Sequence, residues 1–265
     1  MKTMKSFIVG FVLLAACSCQ ALARGSGITE EFHQSYALSR GGSVRLNNVN
    51  GGVEVKVWDK DEVKVDAVKH ADDRDMMDQI QVVVNASSDL VDIDTRYPDH
   101  ENNHGDHGSW VEYTVTVPRD ANLDKIRTVN GDIGISDVRG KLYASTVNGT
   151  VRASEVENDC WLETVNGKIQ ADFAALKSGS DATLKTVNGS VAIYLPAGAS
   201  AKIEAKTVSG RISNDFGLVS SREKDEQSFV KIGDSVDGNI GNGGANVCAE
   251  SVNGSIKILK SGESK

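Results

Sequence analysis

Three of the five histidines lie close together in one polar stretch, at positions 100, 104 and 107. The stretch reads DHENNHGDH, so the histidines are spaced by four and three residues and carboxylates flank them. Imidazole and carboxylate groups are ligands for Zn²⁺ and related ions. His100, His104 and His107 are therefore candidate metal ligands. The alternative is a polar loop between two strands. It is favoured because a loop rich in Gly and Asn gives ligands little rigid support, and no cofactor is predicted.

Tyr143 and Trp161 are 18 residues apart and occupy the same place in a nine-residue repeat. In a chain that winds with 18 residues per coil, their rings stack about 4.8 Å apart on the outer face. Exposed aromatic pairs bind sugar rings or a protein partner. Tyr143 and Trp161 are therefore interaction candidates. The alternative is that a loop covers this face, such as the insertion at 173–181.

The repeat spans residues 128–172 and reads TVNGDIGIS, DVRGKLYAS, TVNGTVRAS, EVENDCWLE and TVNGKIQAD. The second, sixth and eighth places are apolar in every unit, which is typical of stacked structural repeats. The fourth place is Gly or Asn, the residue types that tolerate a positive φ. The pattern predicts that the second-place side chains point inward and fill a column: Val129, Val138, Val147, Val156 and Val165.

Each unit alternates apolar and polar residues around its sixth and eighth places, which predicts a short strand with one buried face. Nine residues are too few for a helical crossover between parallel strands. Two units then form one coil. We interpret the step of three residues between the eighth place and the next second place as a bend or bulge. The sequence predicts an all-β fold, a parallel β-solenoid (β-helix or β-roll) with about 18 residues per coil.

The third-place asparagines at 130, 148, 166, 188 and 253 are expected to lie one above another. The favoured interpretation is that their amides hydrogen-bond along the stack. A ligand-binding ladder is the alternative.

The beginning of the chain has the pattern of an export signal, with Lys2 and Lys5 before an apolar stretch too short to span a bilayer. Cleavage after Ala23 would release a soluble protein, whereas the LAAC sequence ending at Cys17 resembles a lipoprotein box and would place a lipid anchor there. We expect a signal peptide at 1–23, an irregular β part at 24–127 with one short helix within 71–78, regular repeats at 128–260 and a tail at 261–265.

The chain carries a net charge of −8, and removal of Lys2 and Lys5 leaves 27 basic against 37 acidic residues, or −10. An acidic surface disfavours a nucleic-acid partner. No later stretch is long and apolar enough for a transmembrane span. Cys160 falls in an inward place and Cys248 in an outward place several coils away, so the sequence predicts no disulfide between them.

Several segments together resemble one family. They are NVNG followed by VEVKVWD in residues 48–59, VEYTVTVP at 111–118, the repeated TVNG, and YLPAGASAKIEAKTVSG at 194–210. This order resembles the bacterial putative-adhesin family, a β-strand-repeat domain of unknown function, over residues 28–260. The resemblance implies an exported, non-catalytic β-solenoid of the cell envelope, periplasmic or envelope-associated, and gives no catalytic residues to transfer.

The sequence therefore favours a non-enzymatic, adhesin-like or scaffolding envelope protein whose partner is an unknown protein or glycan. One alternative is a regulatory module linked to envelope stress that senses a ligand or metal. A carbohydrate-active β-helix enzyme is disfavoured because the outward acids Asp132, Asp137, Glu155 and Glu163 are scattered rather than paired. The sequence also lacks the common hydrolase and phosphate-binding motifs.

Overall fold

A computed structural model describes residues 27–97, 108–220 and 233–262. Within these residues the chain forms twenty β-strands and one helix, α1 (Arg74–Gln79). The helix falls where the sequence predicts one, begins at an Asp73 side chain that accepts from the backbone N–H of Met76, and buries Met76 and Met77. No helix in the described part of the chain is long and apolar enough to cross a membrane.

The first sheet has ten strands in the order β1-β4-β7-β3-β9-β11-β13-β15-β20-β17. In that order their ranges are Ile28–Ala37, Glu62–Ala71, Trp110–Pro118, Val53–Trp58, Ile133–Ser136, Val151–Val156, Ile169–Phe173, Val191–Leu195, Ile256–Lys260 and Ile212–Asn214.

The second sheet also has ten strands, in the order β18-β16-β19-β14-β12-β10-β8-β2-β6-β5. In that order their ranges are Asp234–Ile240, Ala201–Ser209, Ala245–Asn253, Asp181–Asn188, Cys160–Asn166, Leu142–Asn148, Asn122–Arg127, Ser43–Asn47, Leu90–Arg96 and Gln81–Ala86. The all-β prediction is thus confirmed, with two large and mostly parallel sheets.

Between β8 and β17 the chain alternates between the two sheets. In the regular part, parallel neighbours in one sheet are 18 residues apart in sequence. Leu142 pairs with Cys160 in the second sheet, and Val151 pairs with Ile169 in the first. Strands before residue 128 belong to the same sheets, since β2 pairs with β8 and β3 with β9. The pairing is antiparallel at the ends of the sheets, at β1-β4-β7, β5-β6 and β16-β18.

The order of strands in the second sheet departs from the order in the chain. Strand β19 lies between β14 and β16, so Cys248 on β19 pairs with Thr183 on β14. Trp161, beside the buried Cys160, pairs with the same Thr183 on its other side. The expectation that Cys248 lies several coils from Cys160 is therefore wrong, because the antiparallel pair of β16 and β18 occupies the end of the sheet and β19 lies between β16 and β14. Both cysteines are free.

The sixth and eighth places of the repeat face the space between the sheets, as predicted. All ten side chains there are buried, with at most 5% exposed: Ile133, Leu142, Val151, Cys160, Ile169, Ile135, Ala144, Ala153, Leu162 and Ala171. These branched and small apolar side chains form the part of the core that the nine-residue pattern predicted.

The prediction that every second-place valine points inward is wrong for Val129, Val147 and Val165, which are 36%, 37% and 36% exposed. The threonine before each of them is buried instead. Strict alternation continues from the sixth and eighth places into the next unit, so the first-place threonine faces inward and the valine after it faces solvent. The remaining second-place residues, Val138 and Val156, are buried as predicted.

A bulge explains why the two kinds of corner differ. Asp137 and Glu155 precede the buried Val138 and Val156 and have φ values of 63° and 57°. A left-handed residue shifts the alternation by one, which turns the following side chain inward. The ladder register between β11 and β13 also shifts after Ala153. The predicted bend is therefore present at alternate corners, and the TVNG corners lack it.

Each buried first-place threonine uses its hydroxyl inside the fold. The Oγ1 of Thr146 donates to the carbonyl oxygen of Gly131, and that of Thr164 donates to Gly149, both at 2.9 Å. Equivalent hydrogen bonds link Thr128 to Gly51, Thr186 to Gly167, Thr207 to Gly254 and Ser251 to Gly189. Valine cannot make this bond, which explains the choice of side chain that faces inward.

The repeat glycines are required for close packing of the backbone, not for the positive φ that the sequence suggested. Gly131, Gly149 and Gly167 are not among the residues with positive φ. Instead, their backbones stack so closely that a Cβ on Gly149 would lie 2.0 Å from the carbonyl oxygen of Gly131. A side chain of any size would force the stacked corners apart.

The third-place asparagines form the hydrogen-bonded stack that was predicted. Each amide nitrogen donates to the amide oxygen of the asparagine on the neighbouring strand at 2.8 Å, in five successive bonds. We call the six residues the asparagine ladder: Asn50, Asn130, Asn148, Asn166, Asn188 and Asn253. Each inner amide thus satisfies part of its hydrogen-bonding capacity within the stack.

Candidate binding surface on the second sheet

The outer face of the second sheet carries one row of chemically varied side chains, which we call the aromatic row. The ladder places five residues side by side on successive strands: Tyr143, Trp161, Thr183, Cys248 and Glu204. Their neighbours along each strand are buried, so alternation directs these five side chains outward. The row crosses five strands, about 19 Å from first to last.

The structure brings the two predicted aromatic residues together. Tyr143 and Trp161 pair in register, their ring centroids are 6.3 Å apart and their planes differ by 17°. The separation exceeds the predicted value of about 4.8 Å but lies within the range of about 4.5–7 Å over which aromatic pairs interact favourably. Trp161 remains 40% exposed. The insertion at 173–181 therefore does not cover this face.

Polar side chains flank the aromatic row on both sides. On one side, Asp159 lies 3.2 Å from the Nζ of Lys141, and Asp181 accepts from the amide of Asn246 at 2.8 Å. The backbone N–H of Asp181, with help from Lys141, holds the pKa of the Asp159 carboxyl below its usual range. Carboxylates, an amide and an ammonium group therefore lie two residues along their strands from the aromatic row.

On the other side, Lys185 and Glu250 fix the position of Trp161. The Nζ of Lys185 lies 3.0 Å from a carboxylate oxygen of Glu250 and 5.7 Å from the centre of the Trp161 ring. The hydrogen bond to Glu250 raises the pKa of Lys185, so the cation over the ring stays charged. The indole N–H of Trp161 also donates to Glu163 at 3.4 Å.

Cys248 offers a thiol rather than a thiolate to this surface. Burial is the main factor that raises its pKa, and the nearby carboxylates of Glu250 and Glu204 raise it further. Burial also raises the pKa of Cys160 to about 12. Because the thiolate is the nucleophilic form, neither cysteine has the environment of a reactive thiol.

The aromatic row lines a groove of about 690 Å³ together with side chains from its flanks. Four carboxylates and two lysines contribute to its walls: Asp124, Asp159, Asp181, Glu204, Lys141 and Lys202. The groove thus combines an apolar ring platform with a rim of donors and acceptors and an excess of negative charge. This composition suits a ligand with a flat apolar face, hydroxyl groups at its edge, and no net negative charge.

A second exposed feature runs along the corner next to this face. The outward valines of seven stacked corners form a continuous line, and each remains 36–52% exposed. Backbone pairing places them in the order Val49, Val129, Val147, Val165, Val187, Val252 and Val208, which we call the valine ridge. The asparagine ladder runs beside it.

The other sequence-derived candidates are not brought into this surface. His100, His104, His107 and Cys17 lie outside the described residues, as does the predicted signal peptide. Within the described ranges 27–97, 108–220 and 233–262, no group of three or more His, Cys, Asp or Glu side chains is arranged to hold a metal ion.

Sequence reasoning missed most of the aromatic row beyond its two rings. Thr183 and Cys248 lie next to Trp161 in the sheet but 22 and 87 residues from it in the chain. The signal that could have found Thr183 is its position three residues before the Thr186-Val187-Asn188-Gly189 corner, the same offset as Trp161 has from its own corner. Cys248 and Glu204 share that offset from their corners as well.

No family model and no curated protein matches the sequence. Solved structures do match. One is a putative cell adhesion protein from Clostridium sporogenes, 13% identical over 88% of this chain and 99% of that one, with a TM-score of 0.53. Another is a putative adhesin from Bacteroides fragilis, 10% identical over 86% and 96% of the two chains, with a TM-score of 0.37.

The likeness to the Clostridium protein shows that this chain shares its fold, while a TM-score of 0.37 is too low to support an argument. The names of the matching structures are consistent with the putative-adhesin family of unknown function that the sequence resembles.

Proposed function

We propose that this chain is an exported, non-enzymatic protein of the bacterial cell envelope with an adhesin-like role, and that its aromatic row binds glycan. In this proposal the two sheets are the walls of a parallel β-solenoid with about 18 residues per coil. The solenoid presents a long, regular outer face, and the similar fold of the putative cell adhesion protein from Clostridium sporogenes supports the proposed role.

The observation that carries the glycan proposal is the stacked ring pair, in which Tyr143 is half-buried and Trp161 is exposed. Tyr143 and Trp161 stack at 6.3 Å in a surface where Trp161 remains 40% exposed, although burial of an aromatic side chain is normally favourable. An exposed, pre-ordered ring platform offers a sugar a flat apolar contact at low entropic cost. The flanking carboxylates, amide and ammonium groups offer hydrogen-bond partners for hydroxyl groups.

The groove supports binding rather than catalysis. Its thiol is held protonated, and Asp159 is paired with Lys141. Next to the groove, Lys185 over the Trp161 ring is paired with Glu250. These groups are engaged with one another, which suits recognition by a rigid surface.

Tryptophan fluorescence tests the proposal, with a panel of envelope-type oligosaccharides as titrants. We expect saturable quenching in the wild type, and Trp161→Ala and Tyr143→Ala should each weaken binding about tenfold or more. Trp110→Ala is the matched control, since Trp110 is also 39% exposed and ring-stacked, but against His70 on the first sheet. Isothermal titration calorimetry measures the Trp161→Ala variant independently of its lost fluorophore.

The proposal would be contradicted if none of the tested glycans bound to the wild type. It would also be contradicted if the Trp110→Ala control weakened binding as much as the Trp161→Ala and Tyr143→Ala variants do. If the wild type captured one envelope protein and the two groove variants did not, the ligand at this surface would be a protein. That result would replace the glycan assignment.

A further inference from the structure

We propose that the valine ridge is the contact surface between two copies of this chain in solution. The proposal does not depend on glycan binding, because the ridge and the aromatic row are different rows of the second sheet. Trp161 and Val165 on the same strand are four residues apart, about 13 Å.

The ridge is an unusual surface because its apolar side chains are continuous. Seven valines at adjacent corners are 36–52% exposed, whereas most of the other valines in the described part of the chain are buried. Scattered exposed apolar residues are ordinary on a protein surface, but a contiguous patch marks an interaction site. The six steps between the seven strands make this patch about 29 Å long.

The spacing of the ridge favours a second copy of the chain as its partner. The side chains recur at the strand spacing of about 4.8 Å, and the ladder amides beside them recur at the same interval. An identical ridge has the same spacing over its whole length, so its valines fit between these valines at every strand. A ligand with another repeat distance falls out of register after a few strands.

Charge also favours this contact. Two copies with a net charge of −8 repel each other over most of their surfaces. The ridge and the ladder contain only Val and Asn over their length, so they form an uncharged strip. The next row alternates in sign across four strands, as Lys206, Glu250, Lys185 and Glu163. An antiparallel copy displaced by one strand therefore places Lys185 opposite Glu163.

The available area sets the strength of the contact. From the charged row to the ladder the strip spans three residues along each strand, so with the width of its edge side chains it is about 15 Å wide and covers about 430 Å² per molecule. Two copies then bury about 900 Å², which is below the range for stable interfaces. We therefore expect a weak, reversible dimer with a dissociation constant of about 100 µM rather than an obligate one.

Sedimentation velocity of the purified protein from about 1 µM to about 500 µM tests the proposal. The wild type should shift from the monomer to twice the monomer mass as concentration rises. Val165→Lys with Val187→Lys should remain monomeric at about 500 µM, because dimerisation would bury unpaired charges. The control is Gln170→Lys with Ala192→Lys, the same charge change on neighbouring strands of the first sheet, which should dimerise like the wild type.

A conservative pair separates loss of contact from loss of folding. Val165→Thr with Val187→Thr keeps the β-branched shape and should weaken dimerisation about tenfold, with an unchanged circular dichroism spectrum. A wild type that stays monomeric at about 500 µM would overturn the proposal. So would ridge variants that dimerise as well as the wild type, or a control pair that loses the dimer to the same extent.

Discussion

The hydroxyl of Thr164 donates to the carbonyl oxygen of Gly149 at 2.9 Å, from a residue that is only 1% exposed. Val165, the next residue, is 36% exposed. The TVNG corner therefore buries its polar β-branched residue and exposes its apolar one, because the glycine carbonyl inside the corner needs a donor.

The first prediction concerns this reversal. Thr164→Val should lower the free energy of unfolding by about 1 kcal/mol or more, because the part-buried hydrogen bond from the threonine hydroxyl to the Gly149 carbonyl is lost. Val165→Thr, which makes the opposite change one residue away, should alter it by less than about 0.5 kcal/mol. Urea unfolding measures both. Equal losses would show that the hydroxyl does not determine which residue faces inward.

Periodicity alone could not predict this reversal. Thr and Val have nearly the same shape and both favour strands, so a pattern of apolar places assigns the inward position to Val. The sixth and eighth places were predicted correctly because only one face of those strands is apolar. The bulges at Asp137 and Glu155 were hidden because positive φ at an acidic residue has no strong sequence signal.

The candidate site was predictable to the extent that it follows the 18-residue repeat. Tyr143 and Trp161 share a place in consecutive coils, and the structure pairs them. Cys248 was misplaced because β19 inserts between β14 and β16, and no local pattern records the order in which strands join a sheet.

A second prediction tests the close stacking of the glycines. Gly149→Ala should lower the free energy of unfolding by about 3 kcal/mol or more, since its Cβ would lie 2.0 Å from the Gly131 carbonyl oxygen. Gly198→Ala is the matched control because no atom lies within 4 Å of a Cβ at that position. The control should be neutral or slightly stabilising. Thermal and urea unfolding measure the stability of both variants. Equal losses of unfolding free energy in the two variants would contradict close stacking of the glycines.

A third prediction concerns the bulge. Glu155 has a φ of 57°, which costs a side-chain-bearing residue about 1–2 kcal/mol. Glu155→Gly relieves this strain but adds freedom to the unfolded chain, so stability should stay equal or rise by up to about 1 kcal/mol. Ser154→Gly on the same strand should lose about 0.5–1 kcal/mol. Loss of stability in both variants to the same degree would argue against strain at Glu155.

A fourth prediction concerns pH. The Nδ1 of His33 lies 2.7 Å from Asp66 and its Nε2 lies 3.1 Å from Glu31. The hydrogen bond to Asp66, followed by that to Glu31, raises the pKa of His33 above its usual 6.5. Asp66→Asn should bring this pKa back toward 6.5, and Glu31→Gln should lower it less. Nuclear magnetic resonance titration of the imidazole measures both shifts.

The sign of the linked stability follows from that shift. Because the folded pKa exceeds the unfolded value, the stabilisation is complete below about pH 6.5 and is lost as pH rises through the folded pKa. In the wild type, the free energy of unfolding should therefore fall as pH rises above about 6.5. His33→Gln should remove this fall. The effect should be small because the side chain is 53% exposed and solvent screens the pair. A His33 pKa at or below 6.5 in the wild type would contradict the ion-pair geometry.

The last prediction distinguishes classes of sugar at the aromatic row and depends on the proposed glycan binding. Four carboxylates and two lysines line the groove, so its field favours a cation over an anion. At about 20 mM salt, a glucosamine oligomer with free amines should bind about tenfold more tightly than a uronic acid oligomer of equal length. The ratio should shrink at about 300 mM salt, because exposed charges are then screened.

Asp181→Asn with Glu204→Gln should reduce the preference for the amino sugar oligomer, whereas Asp132→Asn beside the first sheet should leave it unchanged. Tighter binding of the uronic acid oligomer by the wild type would show that the lysines, rather than the carboxylates, determine which charged sugars this surface accepts.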